Sequence, residues 1–360
     1  MKKNKLLFII PLTPKNHGVA FLNNFLISNK YIKKNVNFKY INSSTNKKFS
    51  EIGNININKF INLIKIFFKI IFIFRKFKPD KVYVNISPYW IGFFKDIVII
   101  LILKLFVKKK IVAHIHGVGF KKLIKNKFLK LLIKKILKNV FIIFLSRSLK
   151  KDLDHIYDHK LNHFTLNNFA EYQITRKYKK KVLTIVYLAN LIPSKGILTL
   201  LKVLQNLQQR KKYIFKTNII GSTYDTKFKS LIIKESKNIK NIKFLGRLYG
   251  NKKINVLKNS NLFVYPTKND AMPIVLIEAL SVGLPIISSN LGAISDLVKH
   301  EQNGFLFQKN DVKKLQYYIE KYLKNPKMIT THSKNSKILF NKNFTKKRFL
   351  DNFLYILNNF

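Results

Sequence analysis

Two carboxylates in the segment 264–298 stand in unusual company. Asp270 closes a polar loop, and Glu278 follows after seven intervening residues, inside Ile274–Leu280, a run that is otherwise wholly apolar. A charged side chain so placed is costly unless something hydrogen-bonds to it. Vicinal hydroxyls of a ligand would do so, and so would a local lysine. Between the acids, Pro273 suits the first turn of a helix that Gly283 stops. The amides of Ala271, Met272 and Ile274 then gather at a helix N-terminus, where unpaired N–H groups and the helix dipole attract an anion. Upstream, Lys195 precedes Gly196 at the start of an amphipathic segment, and reads either as a countercharge for that anion or as a solvated surface lysine. His114 and His116 alternate along an apolar run, so both rings fall on one strand face as a metal pair would, with no third ligand in view. Asp152 and Asp154 form a D-x-D pair, but in a lysine-rich stretch that reads as a solvated helix face.

These residues need a scaffold, and the apolar pattern supplies one. Short β-branched runs at Leu6–Ile10, Lys81–Ile86, Ile111–Ile115 and Val140–Leu145 are separated by helix-length segments. After the polar stretch Ala170–Lys181 the alternation restarts with Val182–Leu188, Lys216–Ile220, Ile242–Leu245, Leu262–Tyr265 and Pro285–Ser288. Strand, helix, strand in repetition predicts parallel sheets, and 360 residues suffice for two domains. The expected fold is α/β, two Rossmann-like doubly wound domains over 1–172 and 173–342, with 343–360 a helix packing back on the first. Ligands of such sheets lie at the carboxyl ends of the strands, here in the cleft the two domains face.

Composition narrows the classes. Hydrophobic residues at 47% and aromatics at 13% exclude a disordered chain, and the absence of cysteine excludes disulfide scaffolds, thiolate metal sites and a catalytic thiol. Lys and Arg number 69 against 16 Asp and Glu, a net charge of +53. Part of this excess is compositional, since Lys, Asn, Ile and Phe are abundant together along the whole chain. Yet Ile97–Lys151 carries fifteen Lys and Arg and no acid, and within it Phe120–Val140 reads as one strongly amphipathic helix. Its lysine face suits water or an anionic bilayer surface. The N-terminal apolar run, Leu6–Ile10, ends at Pro11 and is short for a signal sequence, so a buried strand is expected there. The longest apolar segments, Phe60–Phe77 and Ile97–Val107, are interrupted by Lys65, Lys69, Arg75, Lys76 and Lys104, and neither offers the roughly 20 apolar residues of a membrane span.

The run D-A-M-P-I-V-L-I-E-A-L-S-V-G-L-P-I-I resembles the donor-site signature of retaining GT-B glycosyltransferases of family 4, in which two acids are separated by seven residues. Asp270 stands where that family usually has Glu. The resemblance implies that Glu278 binds the ribose hydroxyls of a nucleotide sugar, while Asp270 and the backbone of Ala271, Met272, Pro273 and Ile274 hold the transferred sugar. Tyr187–Ile197 is similar to the family's diphosphate clamp and supplies Lys195, with Asn190 where an Arg commonly stands. Phe244–Tyr249 is similar to the loop that approaches the base, which nominates Arg247 and Leu248. Pro14–Ala20 holds the place of a glycine-rich loop with Gly18 alone, and Ala113–Gly119 resembles the strand end whose histidine, here His116, reaches the donor sugar. Asp270, His116 and Lys195 are thus the catalytic candidates. The implied reaction is metal-independent and needs no cofactor beyond a UDP- or GDP-linked sugar. The acceptor would be a glycan or lipid-linked molecule in cell-surface polysaccharide or lipopolysaccharide synthesis, in the cytoplasm or on the inner face of the cytoplasmic membrane. Two other readings stay open: a GT-B nucleotide-sugar epimerase, and a polyanion or nucleic-acid binder, which the charge alone would favour although no nucleic-acid motif accompanies it.

Overall fold

The structure is a computed structural model that describes residues 5–14, 18–44, 57–107, 110–156, 163–172, 174, 182–210 and 212–360, without the side chains of 57–60. Residues 15–17 of the single-glycine loop, Lys108, Lys109 and most of the polar stretch 170–181 lie outside the described residues.

The chain forms two compact units, Met1–Asn167 with Phe349–Phe360, and Asn168–Arg348. In the first, six parallel strands, β1 (Lys5–Ile10), β2 (Asn37–Asn42), β3 (Lys81–Ile86), β4 (Ile111–Ile115), β5 (Val140–Phe144) and β6 (His163–Thr165), are ordered β2-β1-β3-β4-β5-β6. The connections carry α1 (Gly18–Ser28), α2 (Lys30–Asn35), α3 (Ile57–Phe77), α4 (Trp90–Phe106), α5 (Phe120–Leu123) and α6 (Lys127–Leu137). The run Leu6–Ile10 is fully buried in β1, as a strand paired on both sides must be. No described helix is long and apolar enough to cross a membrane.

The second unit repeats the plan. Strands β7 (Leu183–Leu188), β8 (Phe215–Ile220), β9 (Ile242–Phe244), β10 (Leu262–Tyr265), β11 (Ile286–Ser289) and β12 (Gly304–Phe307) are ordered β12-β11-β10-β7-β8-β9. Its helices are α7 (Ile197–Gln209), α8 (Thr226–Ser236), α9 (Gly250–Lys258), α10 (Ile274–Ser281), α11 (Ile294–Leu297), α12 (Val312–Lys324) and α13 (Lys327–Asn343). The last helix, α14 (Lys346–Asn359), contributes Phe349 onward to the first unit. There Phe353 stacks on Phe8 at 6.2 Å, and the Lys81 ammonium donates to the Leu357 carbonyl at 2.6 Å. The division falls at 167/168, ahead of 172, because Asn168 already donates to the Met272 carbonyl at 2.9 Å and Ala170 pairs with Thr345.

Three strands have no counterpart in the apolar pattern. β2 is an edge strand with only Ile41 buried, β6 has three residues, and β12 has four and opens on Gly304. One expected helix is broken: Phe120–Val140 divides into α5 and α6 around Ile124–Asn126. The Asn126 side chain accepts from Phe128 N and Leu129 N at 2.8 and 3.3 Å, which starts a new helix. Asp152 is likewise not a solvated residue. Its carboxylate accepts from the amides of Gly119, Phe120 and Lys121 at 2.7, 3.0 and 3.2 Å, satisfying donors that α5 leaves unpaired. The long-range partner explains why local sequence could not find this role.

Candidate functional site

Strand order decides where a site can be built. In the second unit β7 lies between β10 and β8, so the connections leaving β7 and β10 depart to opposite faces and open a crevice at their carboxyl ends. The loop after β7 carries Lys195 and the loop after β10 carries Asp270. They meet there: Lys195 Nζ lies 2.7 Å from Asp270 Oδ2, with side chains 21% and 17% exposed.

Asp270 is held by three donors. Besides Lys195, the Tyr265 hydroxyl donates to Oδ2 at 2.6 Å and the Thr267 hydroxyl at 3.1 Å. Burial and the adjacent Asp270 charge push the Tyr265 phenol well above its ordinary pKa, so it remains a donor. Tyr187, at the end of β7, is raised by the same two causes and donates to the Lys195 carbonyl at 3.0 Å. All three bonds converge on one oxygen, and Oδ1 takes no hydrogen bond among the described residues. The carboxylate is therefore fixed in orientation with an acceptor atom to spare.

The main chain around the pair is equally constrained. Gly196 has φ +76°, and a Cβ there would stand 1.8 Å from the Pro266 carbonyl oxygen. Only glycine lets the two loops approach so closely. Lys268 N donates to the Ser194 carbonyl at 2.7 Å, tying them together. From the other side Gly292, at φ +53°, packs against the carbonyls of Asp270 and Ala271, where a Cβ would lie 2.5 and 2.6 Å away.

Helix α10 begins at Ile274, with Pro273 as its cap residue. Its first amides, from Ile274 on, have no intrahelical acceptor, and Ala271, Met272 and Pro273 lead from Asp270 into that positive helix end. One turn in, Glu278 is buried and pairs with Lys253 of α9 at 2.5 Å. The local-lysine partner considered for this acid is therefore present. Burial raises the Glu278 pKa, the Lys253 charge and hydrogen bond lower it, and Glu171 raises it again.

The other candidates are more dispersed. Asn190 is exposed in the loop after β7, with no side-chain bond to Asp270. Arg247 stacks over the Tyr224 ring at 4.4 Å and donates to its hydroxyl, and Leu248 follows half-buried in the same loop. Gly18 and His116 belong to the first unit: Gly18 opens α1, and His116 lies just past β4. His114 is a core residue, 1% exposed, with Nδ1 2.6 Å from the Tyr83 hydroxyl and its ring 3.9 Å from that of His116. Burial, then the neighbouring His116, hold the His114 pKa well below the ordinary value.

Tyr187, Tyr265, Thr267 and Lys253 were not among the residues the motifs nominated. The tyrosines had a usable signal, since each is a hydroxyl-bearing residue at the carboxyl end of one of two strands that flank the switch point. Three acids of the first unit serve its structure, Asp152 at α5 and two more. Asp80 accepts from Lys5 N at 2.8 Å, while buried Asp96 accepts from Ser87 N at 2.8 Å and pairs with Lys95 at 2.5 Å.

Two units, each built on a six-stranded parallel sheet flanked by helices, make up the GT-B fold. Anabaena HepE, solved in complex with UDP and glucose, shares this fold with a TM-score of 0.73 at 13% identity, over 99% of this chain and 100% of that one. Residues 169–338 match the family model Glycosyl transferases group 1. A glycosyltransferase of Haemophilus influenzae with no assigned reaction is 30% identical over 163 residues, 43% of this chain and 44% of that protein. The UDP-Gal:alpha-D-GlcNAc-diphosphoundecaprenol alpha-1,3-galactosyltransferase of Escherichia coli is 47% identical over 58 residues, 16% of this chain and 15% of that one. The capsular polysaccharide biosynthesis glycosyltransferase CapH of Staphylococcus aureus is 32% identical over 138 residues, 36% of this chain and 37% of that one. The chain thus spans less than half the length of these curated relatives.

Proposed function

We propose that the protein is a retaining, metal-independent glycosyltransferase that moves a sugar from a UDP- or GDP-linked donor to a glycan or lipid-linked acceptor in cell-surface polysaccharide or lipopolysaccharide synthesis. The observation that carries this reading is the Lys195–Asp270 pair at the switch point, set against the N-terminus of α10. In such a transfer the bond from the anomeric carbon to the phosphate oxygen breaks and a bond to the acceptor oxygen forms on the same face. Charge develops on the departing diphosphate, and Lys195 with the first-turn amides of α10 would receive it without reorganisation. The acceptor proton passes to a phosphate oxygen, so no side chain need serve as base. Asp270 Oδ1 would take a hydroxyl of the transferred sugar, and Glu278 the ribose diol. Arg247 and Leu248 would lie toward the base. His116 would bond the sugar from the first unit. The small number of acids in the first unit's sequence weighs against an epimerase, which needs several.

A thermal-shift screen of UDP, GDP and their sugar conjugates, free of divalent metal, tests the donor site. Saturable stabilisation by one nucleotide series is expected, and it should vanish in Glu278→Ala. A folded protein that binds neither series would reduce the reading to a statement about fold.

The membrane part of the reading rests on α3, α4 and α6. Phe68 and Phe72 of α3, Leu105 of α4 and Phe128 and Leu131 of α6 are exposed among lysines, with Leu105 at 81% and Phe128 at 76%. Phe74 and Phe106 stack at 4.8 Å, and Lys104 donates to the Lys138 carbonyl at 2.8 Å, so the three helices adjoin. Apolar rings and cations side by side suit an anionic interface. In flotation assays the protein is expected to bind vesicles rich in anionic lipid and to release in high salt. Equal binding to neutral vesicles, or none to either, would remove this part of the reading, and salt-sensitive binding to DNA alone would favour the polyanion alternative.

A further inference from the structure

The partner of Glu278 lies outside every motif in the sequence. Lys253 stands one turn into α9, its side chain 18% exposed, with Nζ 2.5 Å from Glu278 Oε1. Withdrawing an ammonium this far from water is costly unless a carboxylate repays it. The bond engages Oε1 only. Oε2 takes no hydrogen bond among the described residues and is not sealed from solvent. Glu278 is therefore clamped at one oxygen and presents the other.

We propose that Lys253 is a positioning residue for the donor site: it fixes Glu278 through Oε1 and holds it ionised, so that Oε2 accepts a hydrogen bond from a ligand diol. The inference rests on the nucleotide-sugar reading above and names the residue that makes its ribose contact work. Two charged groups act on the Glu278 carboxyl, Lys253 and Glu171. Glu171, from the segment ahead of β7, opposes ionisation, as does burial. Lys337 of α13 gives its ammonium to the carbonyls of Ser281 and Ile174 at 2.7 and 3.0 Å, which leaves Lys253 as the cation that bonds the carboxylate. Without Lys253, a carboxyl facing burial and Glu171 would gain a proton at higher pH and turn from acceptor to donor.

The test is calorimetric titration of whichever of UDP or GDP the wild-type protein binds, at mildly acidic and mildly alkaline pH. Lys253→Met, Lys253→Arg, Glu278→Gln and the double variant Lys253→Met with Glu278→Gln are compared. Lys253→Met is expected to weaken binding about 10- to 100-fold, the range seen when a residue supporting a ligating group is lost. The loss should deepen as pH falls, because the unsupported carboxylate protonates. Lys253→Arg should restore affinity, and the double variant should match Glu278→Gln alone, since Lys253 acts only through that acid. Wild-type affinity and pH profile in Lys253→Met would overturn the proposal, as would a pH-independent loss that adds to that of Glu278→Gln. If Lys253→Met does not fold, the double variant, which buries no lone ion, and Lys253→Arg decide: Arg without near wild-type affinity overturns it. A wild-type protein that binds no nucleotide defeats the donor reading itself, a different failure from unchanged affinity in Lys253→Met.

Discussion

Asp270→Ala is expected to lower kcat of sugar transfer by about 100- to 1,000-fold, the cost of removing one preorganised hydrogen-bonding group from a transition state. Affinity for the free nucleoside diphosphate should hold or improve in the same variant. The divergence follows from one bond. Lys195 Nζ now spends a short contact of 2.7 Å on Asp270. Deleting the carboxylate frees the ammonium for the diphosphate while stripping the sugar of its acceptor. Asp270→Asn should fall between, because Tyr265 and Thr267 can still bond the amide oxygen while the charge facing Lys195 is gone. Turnover of a donor and acceptor pair, with calorimetry of the diphosphate alone, checks both halves. A kcat within threefold of wild type would remove Asp270 from the chemistry, and a parallel loss of diphosphate affinity would show that it merely holds the loop.

Gly196→Ala should be the most damaging single-methyl change in the site. Its φ of +76° costs a non-glycine residue about 1–2 kcal/mol by itself. The new Cβ would fall 1.8 Å from the Pro266 carbonyl oxygen, main chain that cannot swing aside. Relief requires parting the loop after β7 from the loop after β10, which breaks the Lys268 N to Ser194 O bond and pulls Lys195 from Asp270. Chemical denaturation is expected to show a loss of at least about 3 kcal/mol, in the upper range for point substitutions, together with loss of nucleotide binding. A loss below about 1 kcal/mol with binding intact would mean that the loops separate easily, and that their close approach is not what sets the site.

Local sequence read the second unit's core elements well because their pattern is local. Apolar runs between turn residues mark buried parallel strands, and β7, β8, β10 and β11 lie where those runs lie. The pattern failed where burial is partial. β2 keeps one buried residue, and nothing in N-F-K-Y-I-N separates it from a loop. The break between α5 and α6 was hidden by lysines that continue the amphipathic rhythm through Asn126. That residue's capping geometry depends on backbone angles which composition does not set.

The site divides along the same line. Sequence alone determined that Asp270, Glu278 and a helix N-terminus share one short segment, because seven residues and a proline place them there whatever the rest of the chain does. It also determined a chain without thiol chemistry and with a large positive charge. Only the tertiary structure decided which partners those groups have. Lys195 reaches Asp270 across 75 positions because parallel strand order brings the ends of β7 and β10 side by side, and Gly196 permits the contact. Lys253 of α9 reaches Glu278 of α10 across 25. Asp152 turns from an exposed acid into the cap of α5 across about thirty. Spacing along a chain constrains neighbours on one element, whereas electrostatic pairing between elements depends on sheet order, and sheet order is a property of the whole fold.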